Sequence, residues 1–149
     1  MKSEIPGVII RKLDMYEDSR GWLMELFRDD ELPEGFHPAM CYISTTHPGI
    51  ARGPHEHHEQ SDYFCFMSGH FRLSLWQRRE DGIYRETYDV GVKTPALVIV
   101  PPGVVHAYEN VGQEDAYVVN FPDKLYAGQG KKEPVDEIRH EDSDSEFKL

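Results

Sequence analysis

Hydrophobic and polar positions alternate in short bursts along the chain, and turn residues cut the bursts apart. Phe71, Leu73 and Leu75 alternate with Arg72, Ser74 and Trp76, the two-residue period of a strand with one buried face. Similar strand-like stretches cover residues 8–13, 22–27, 40–45, 63–67, 84–90, 96–100, 104–108 and 116–121. The run Glu17-Asp18-Ser19-Arg20-Gly21 separates the first two, and residues 30–37, with Pro33 and Gly35, read as a loop. Ser68-Gly69-His70 and Glu80-Asp81-Gly82 are hairpin signals, and Pro48-Gly49 and Asn110-Val111-Gly112 are further turns. No helical period of useful length precedes residue 122. Many short strands at near-regular spacing predict an all-β sandwich, jelly roll or barrel. Residues 1–127 form the predicted domain. Residues 128–149 form an acidic tail that packs on the barrel or extends from it, with residues 135–139 a short helix or an edge strand.

Composition narrows the class. The 149 residues are enough for one core and too few for two comfortable domains. A net charge of −11 argues against a nucleic-acid partner, which needs a basic face. No apolar run is long enough to cross a bilayer, and Met1-Lys2-Ser3-Glu4-Ile5-Pro6 lacks the apolar stretch of a secretory signal, so the expected address is cytoplasmic. Cys41 and Cys65 lie in apolar runs and are too few for a disulfide framework; buried free thiols are expected.

Two segments carry candidate chemistry. The first is Gly53-Pro54-His55-Glu56-His57-His58-Glu59-Gln60-Ser61-Asp62, which leads on to Gly69; the second is Pro101-Pro102-Gly103-Val104-Val105-His106, followed by Asn110. On a strand His55 and His57 share a face, while His58 turns away. Asp62 can return a carboxylate to that face after a short turn, and the Pro and Gly of the second segment deliver His106 from another strand. Three imidazoles and a carboxylate suit a divalent metal such as Zn, Fe(II), Mn, Ni or Cu, with positions left open for substrate. His37, His47, His70 and His140 lack such a pattern and are expected to be solvated or structural. These two segments resemble the signature segments of the cupin superfamily, with Asp62 where that family usually has Glu. The resemblance implies a cupin-type double-stranded β-helix, a jelly-roll barrel.

A second resemblance is narrower. Asp18-Ser19-Arg20-Gly21-Trp22-Leu23-Met24-Glu25 resembles the DxRGxxxE segment of dTDP-4-dehydrorhamnose 3,5-epimerases, Arg52-Gly53-Pro54-His55 their RGxH, and residues 100–106 their PxGxxH. The stretch from His47 to His58 is also similar to the zinc-binding cupin domain of capsule-synthesis UDP-sugar epimerases. The resemblance implies an epimerase of a 4-keto nucleotide sugar, working by proton abstraction next to a ketone. The catalytic His falls on His55 and a second pocket His on His106. Nucleotide-binding residues fall on Arg20 and Glu25, and the pocket Arg on Arg52. A neighbouring subunit reached by the N-terminal strand implies a homodimer.

The chain departs from that pattern in three places. The family's pocket Lys has no counterpart, and the nearest position carries Asp62. Its catalytic Tyr on a late strand falls on Asn120 or Phe121, leaving Asn120 a substrate-binding position and Tyr126 the matching later tyrosine and candidate acid. The Asp that pairs with the catalytic His falls on Asp142 or Asp144. A metal can polarise a ketone in place of the missing Lys, but a metal-bound His55 is not a free base. The readings that remain are an epimerase, metal-free or not, a metal-dependent cupin oxygenase or small-sugar isomerase, and a non-catalytic sugar-binding cupin.

Overall fold

In the computed structural model, which describes residues 1–149, the alternating pattern becomes twelve strands. They are β1 (Ile9–Lys12), β2 (Met15–Asp18), β3 (Gly21–Met24), β4 (Tyr42–Thr46), β5 (Ala51–Glu56), β6 (Asp62–Phe66), β7 (His70–Arg79), β8 (Gly82–Gly91), β9 (Ala96–Val100), β10 (Val105–Asn110), β11 (Ala116–Asn120) and β12 (Ile138–Arg139). No helix is long and apolar enough to cross a membrane. Two five-stranded antiparallel sheets, ordered β1-β9-β6-β11-β4 and β12-β5-β10-β7-β8, make up the expected all-β jelly roll.

The inward residues of both sheets meet in one cluster that includes Phe64, Phe66, Phe71, Leu73, Leu75, Val98, Tyr108 and Val118. Their removal from water is the main force holding the sheets together. In β7 the alternation is only half obeyed. Phe71, Leu73 and Leu75 are buried as expected, but Ser74 and Trp76 on the other face are buried too. Phe147 of the C-terminal tail packs with Trp76, Val105 and Ala107, and Arg85 lies over Trp76 and donates to Ser74 Oγ, so that face is covered. The ambiguous segment at 135–139 contains the edge strand β12, whose Ile138 and Arg139 pair with Glu56 and His55 of β5.

Two further details correct or extend the reading. Cys65 is buried in β6 as expected, but Cys41 is exposed, because it precedes the first paired residue of β4. Strands β2 and β3 pair only with each other. Their hairpin leaves Tyr16, Trp22 and Leu23 more than half exposed.

Candidate active site

The site forms where β5, β6 and β10 end near one another. His55 lies directly across from His106 in the β5–β10 register. Between Arg52 and His55 the register slips by a residue, a bulge of the kind that re-aims a side chain. Gly53 sits in this bulge with φ of 85°, and a Cβ there would collide with the His106 carbonyl. Glycine is therefore required for β5 to approach β10 this closely. Glu56 points the opposite way, into a half-buried ion pair with Arg78 (2.7 Å) and a contact with His140 (2.8 Å).

His55, His57 and His106 each offer a ring nitrogen, and the three nitrogens lie within 4.8 Å of one another. Two of the tautomers can be read from backbone partners. His106 Nδ1 lies 3.1 Å from the Val104 carbonyl, and His57 Nδ1 meets the Asp136 carbonyl. A carbonyl oxygen only accepts, so each Nδ1 carries the proton and donates it. Each Nε2 then presents a lone pair. Both point at Asp62 Oδ2, at 3.0 Å from His57 and 3.3 Å from His106. The buried His106 Nε2 and Asp62 Oδ2 have no hydrogen-bond partner.

Two nitrogen lone pairs and a carboxylate oxygen cannot share a buried space without a positive charge among them. In the metal-free chain a proton supplies it. Burial works against a charged His57, but Asp62 outweighs burial and the imidazole is pushed up to about 9. Burial likewise disfavours ionised Asp62, yet the imidazoles of His106 and His57 hold its carboxyl below the usual carboxylate range. The same donor set, two imidazole nitrogens and one carboxylate oxygen with His55 beside them, fits a divalent cation.

His55 stands apart from this group in its partners. Its Nδ1 faces the carboxylates of Glu137 and Glu141 at 3.6 and 3.7 Å. Burial first, then the imidazoles of His106 and His57, hold it below the ordinary histidine range, so it is neutral at pH 7. His55, His57, Glu137 and Glu141 border a cavity of 730 Å³ that is also lined by Arg52, Tyr42, Tyr108, Lys124 and Tyr126, among others, while His106 and Asp62 are buried beside His57.

The remaining expected residues divide. Arg52 lines the cavity and is steered by bonds to Thr46 Oγ1 (3.1 Å) and the Thr45 carbonyl (2.7 Å). Tyr126 is at the cavity wall and 57% exposed. Asn120 does not reach the cavity. It is fully buried, donates both N–H groups, to Asp62 Oδ1 (2.8 Å) and Tyr42 Oη (2.9 Å), and accepts from the Tyr63 amide (2.9 Å), so it is committed to the protein interior.

Asp142 is not the carboxylate at His55. It pairs with Arg139 at 2.6 Å, while Asp144 pairs with Lys148, because the tail turns Glu137 and Glu141 inward instead. Arg20 sits at the exposed tip of the β2–β3 hairpin, clasped by Asp18, and Glu25 pairs with Arg28 in a separate recess. Neither reaches the cavity of its own chain, since their hairpin belongs to neither large sheet.

Sequence reasoning missed Tyr42, Glu137, Glu141 and Asp136. The Asp136 carboxylate accepts from the amides of His58, Glu59 and Gln60 (2.7, 2.9 and 2.9 Å), clamping the loop between His57 and Asp62. Its hint was an acid beyond a Pro in a tail that looked like linker.

Residues 16–133 match a family described as polysaccharide biosynthesis C-terminal domain. The spore coat polysaccharide biosynthesis protein SpsL of Bacillus subtilis is 35% identical over 126 residues, which is 82% of this chain and 82% of that protein. The probable low-salt glycan biosynthesis epimerase Agl13 of Haloferax volcanii is 32% identical over 126 residues, covering 82% of this chain and 81% of its own. Among solved structures, ChmJ, a 3'-monoepimerase from Streptomyces bikiniensis in complex with dTDP-quinovose, superposes with a TM-score of 0.78 at 20% identity, over 92% of this chain and 71% of that one. A dTDP sugar isomerase from Desulfovibrio desulfuricans G20 gives 0.76 at 20% identity, over 90% and 83%. At that identity the two structures establish the shared fold.

Proposed function

Because the chain belongs to the polysaccharide biosynthesis C-terminal domain family, we propose that it epimerises a nucleotide-linked 4-keto sugar for a surface polysaccharide. What carries the reading is that His55, a neutral imidazole, lines the cavity beside His57, whose Nε2 shares Asp62 Oδ2 with the buried His106 in a group that needs a positive charge, from a proton or a metal. Inverting a carbon beside a ketone requires a base, a charge to meet the enolate oxygen, and an acid on the other face. His55 is the base: its unprotonated form is fully populated, and Glu137 and Glu141 stabilise the imidazolium as it forms. His57, His106 and Asp62 would hold a divalent cation such as zinc, iron, manganese or nickel. Bound there, the cation supplies a Lewis acid for the developing enolate. Arg52 and Lys124 meet the substrate's negative charge at the cavity wall. Agl13, a relative described as an epimerase, and ChmJ, a structural neighbour crystallised with a dTDP sugar, support the same chemistry.

The test is incubation with a dTDP-4-keto-6-deoxy sugar in deuterated water. Deuterium is expected at a carbon next to the ketone, together with inverted product. If no deuterium enters, epimerisation of this substrate class is refuted.

A homodimer completes the reading. The exposed Tyr16, Trp22 and Leu23 share a hairpin with Arg20, which does not line the cavity of its own chain. A second copy covers this hairpin and receives Arg20 and Glu25 at its cavity. The chain is expected to sediment at twice its monomer mass, and Trp22→Glu to shift it to the monomer. A monomeric wild-type chain would refute the arrangement.

A further inference from the structure

Resting on the epimerase reading, we infer that the Tyr42 hydroxyl is the acid that returns the proton to the face opposite His55. His55 lies on β5 of one sheet and Tyr42 on β4 of the other, and both line the same cavity. Base and acid therefore approach a bound sugar ring from facing walls, the arrangement that inversion requires.

The hydroxyl is held in place. Tyr42 and Asn120 are direct partners in the β4–β11 register, and Asn120 Nδ2 donates to Tyr42 Oη at 2.9 Å. The same amide nitrogen donates to Asp62 Oδ1 at 2.8 Å. Because Asn120 uses its N–H toward the phenol oxygen, the phenol's own proton stays free to point into the cavity. Burial raises the Tyr42 pKa above the ordinary phenol range, which keeps that proton in place until a stronger base needs it. The donated hydrogen bond stabilises the phenolate once the proton has left. Exposure separates the two tyrosines little, at 41% for Tyr42 and 57% for Tyr126, but Tyr126 lies outside both sheets and no hydrogen bond fixes its hydroxyl.

The steps balance. His55 takes the proton from the carbon beside the ketone, and the C–H electrons become the enolate. The enolate then collapses back to the ketone as its carbon takes the Tyr42 proton on the other face. Tyr42 is left as phenolate and His55 as imidazolium, and both reset by proton exchange with water through the open cavity.

The experiment compares wild-type chain, Tyr42→Phe and Tyr126→Phe on a dTDP-4-keto-6-deoxy sugar in deuterated water, following deuterium uptake and inverted product separately. In Tyr42→Phe, His55 still removes the proton and returns deuterium to the same face. Uptake without inversion is expected to stay within about threefold of wild type, while inverted product falls about 100-fold or more. Tyr126→Phe leaves the ratio of inversion to uptake unchanged. The inference is overturned if Tyr42→Phe inverts as wild type does, if inversion and uptake fall together, or if Tyr126→Phe alone loses inversion. An absence of uptake in the wild-type chain overturns the epimerase reading itself and this assignment with it, a result distinct from the others.

Discussion

His55→Asn is expected to lower deuterium uptake next to the ketone by about 10²–10⁴-fold, with the chain still folded. Asparagine has nearly the reach of imidazole and hydrogen-bonding atoms at similar positions, but it cannot accept a proton near neutral pH. Its cost to the fold is small, because His55 Nδ1 has no hydrogen-bond partner to lose. The nearby carboxylates of Glu137 and Glu141 keep Arg139 as a counterion at 3.7 and 3.3 Å. The measurement is the rate of deuterium uptake by nuclear magnetic resonance, with thermal unfolding as a check on the fold. The same variant separates the two roles that compete for His55. If His55 is the base, His55→Asn retains zinc while losing exchange. If His55 is instead an indispensable metal ligand, zinc and exchange disappear together, and the assignment of His57, His106 and Asp62 as the holding set fails.

That competition was legible in the sequence, but the partners that bear on it were not. The two-residue period put His55 and His57 on one face, and both do border the cavity. The buried run at Ala96–Val100 and the alternation of Phe71, Leu73 and Leu75 likewise became what their patterns predict. What separates His55 from its neighbours is the identity of their partners across the fold. Those partners are the carbonyls of Val104 and Asp136 and the carboxylates of Glu137 and Glu141. Three of these four belong to the C-terminal tail, whose acidity disguised it as solvated surface. Glu137 and Glu141 were hidden among equally acidic neighbours, so Asp142 and Asp144 were equally eligible by composition. Only the pairing of β12 with β5 selects between them.

Tyr42 was missed for a related reason. Residues 40–45 read as a strand, but the identity of the facing residue depends on register, and register is set by the partner strand. Once the register is known, Asn120, where the resemblance placed the family's catalytic tyrosine, stands directly opposite a tyrosine on β4. Arg20 and Glu25 show the opposite limit. Their motif was clear, yet a single chain gives them no substrate to touch, because a hairpin paired only with itself has its function decided by whatever covers it.

Asp62 is where two substitutions of similar size should part most sharply. Asp62→Ala removes the carboxylate that answers the charge on His57 and leaves Asn120 and Gln60 without their acceptor. Breaking one partner from a buried pair costs about 3–5 kcal/mol, expected as a matching loss in urea unfolding at pH 6. Asp62→Asn behaves differently. Its oxygen still accepts from Asn120 and Gln60, and its amide now donates into the two lone pairs at His57 Nε2 and His106 Nε2. Stability at neutral pH is therefore kept, while the negative charge that a metal or a protonated His57 needs is gone. Zinc affinity, measured by competition with a chromophoric chelator, should fall about 100-fold or more.

The pH dependence of the metal-free chain carries the same signature. His57 is raised from 6.5 to about 9, so its contribution is full below 6.5 and is lost as pH rises through 9. Asp62 is depressed from 3.8, so its contribution is present above 3.8 and lost as pH falls below it. Wild-type stability should thus decline on both sides, and Asp62→Asn should abolish the alkaline decline near 9. If Asp62→Asn keeps wild-type zinc affinity and the same alkaline decline, Asp62 does not set the charge of this site.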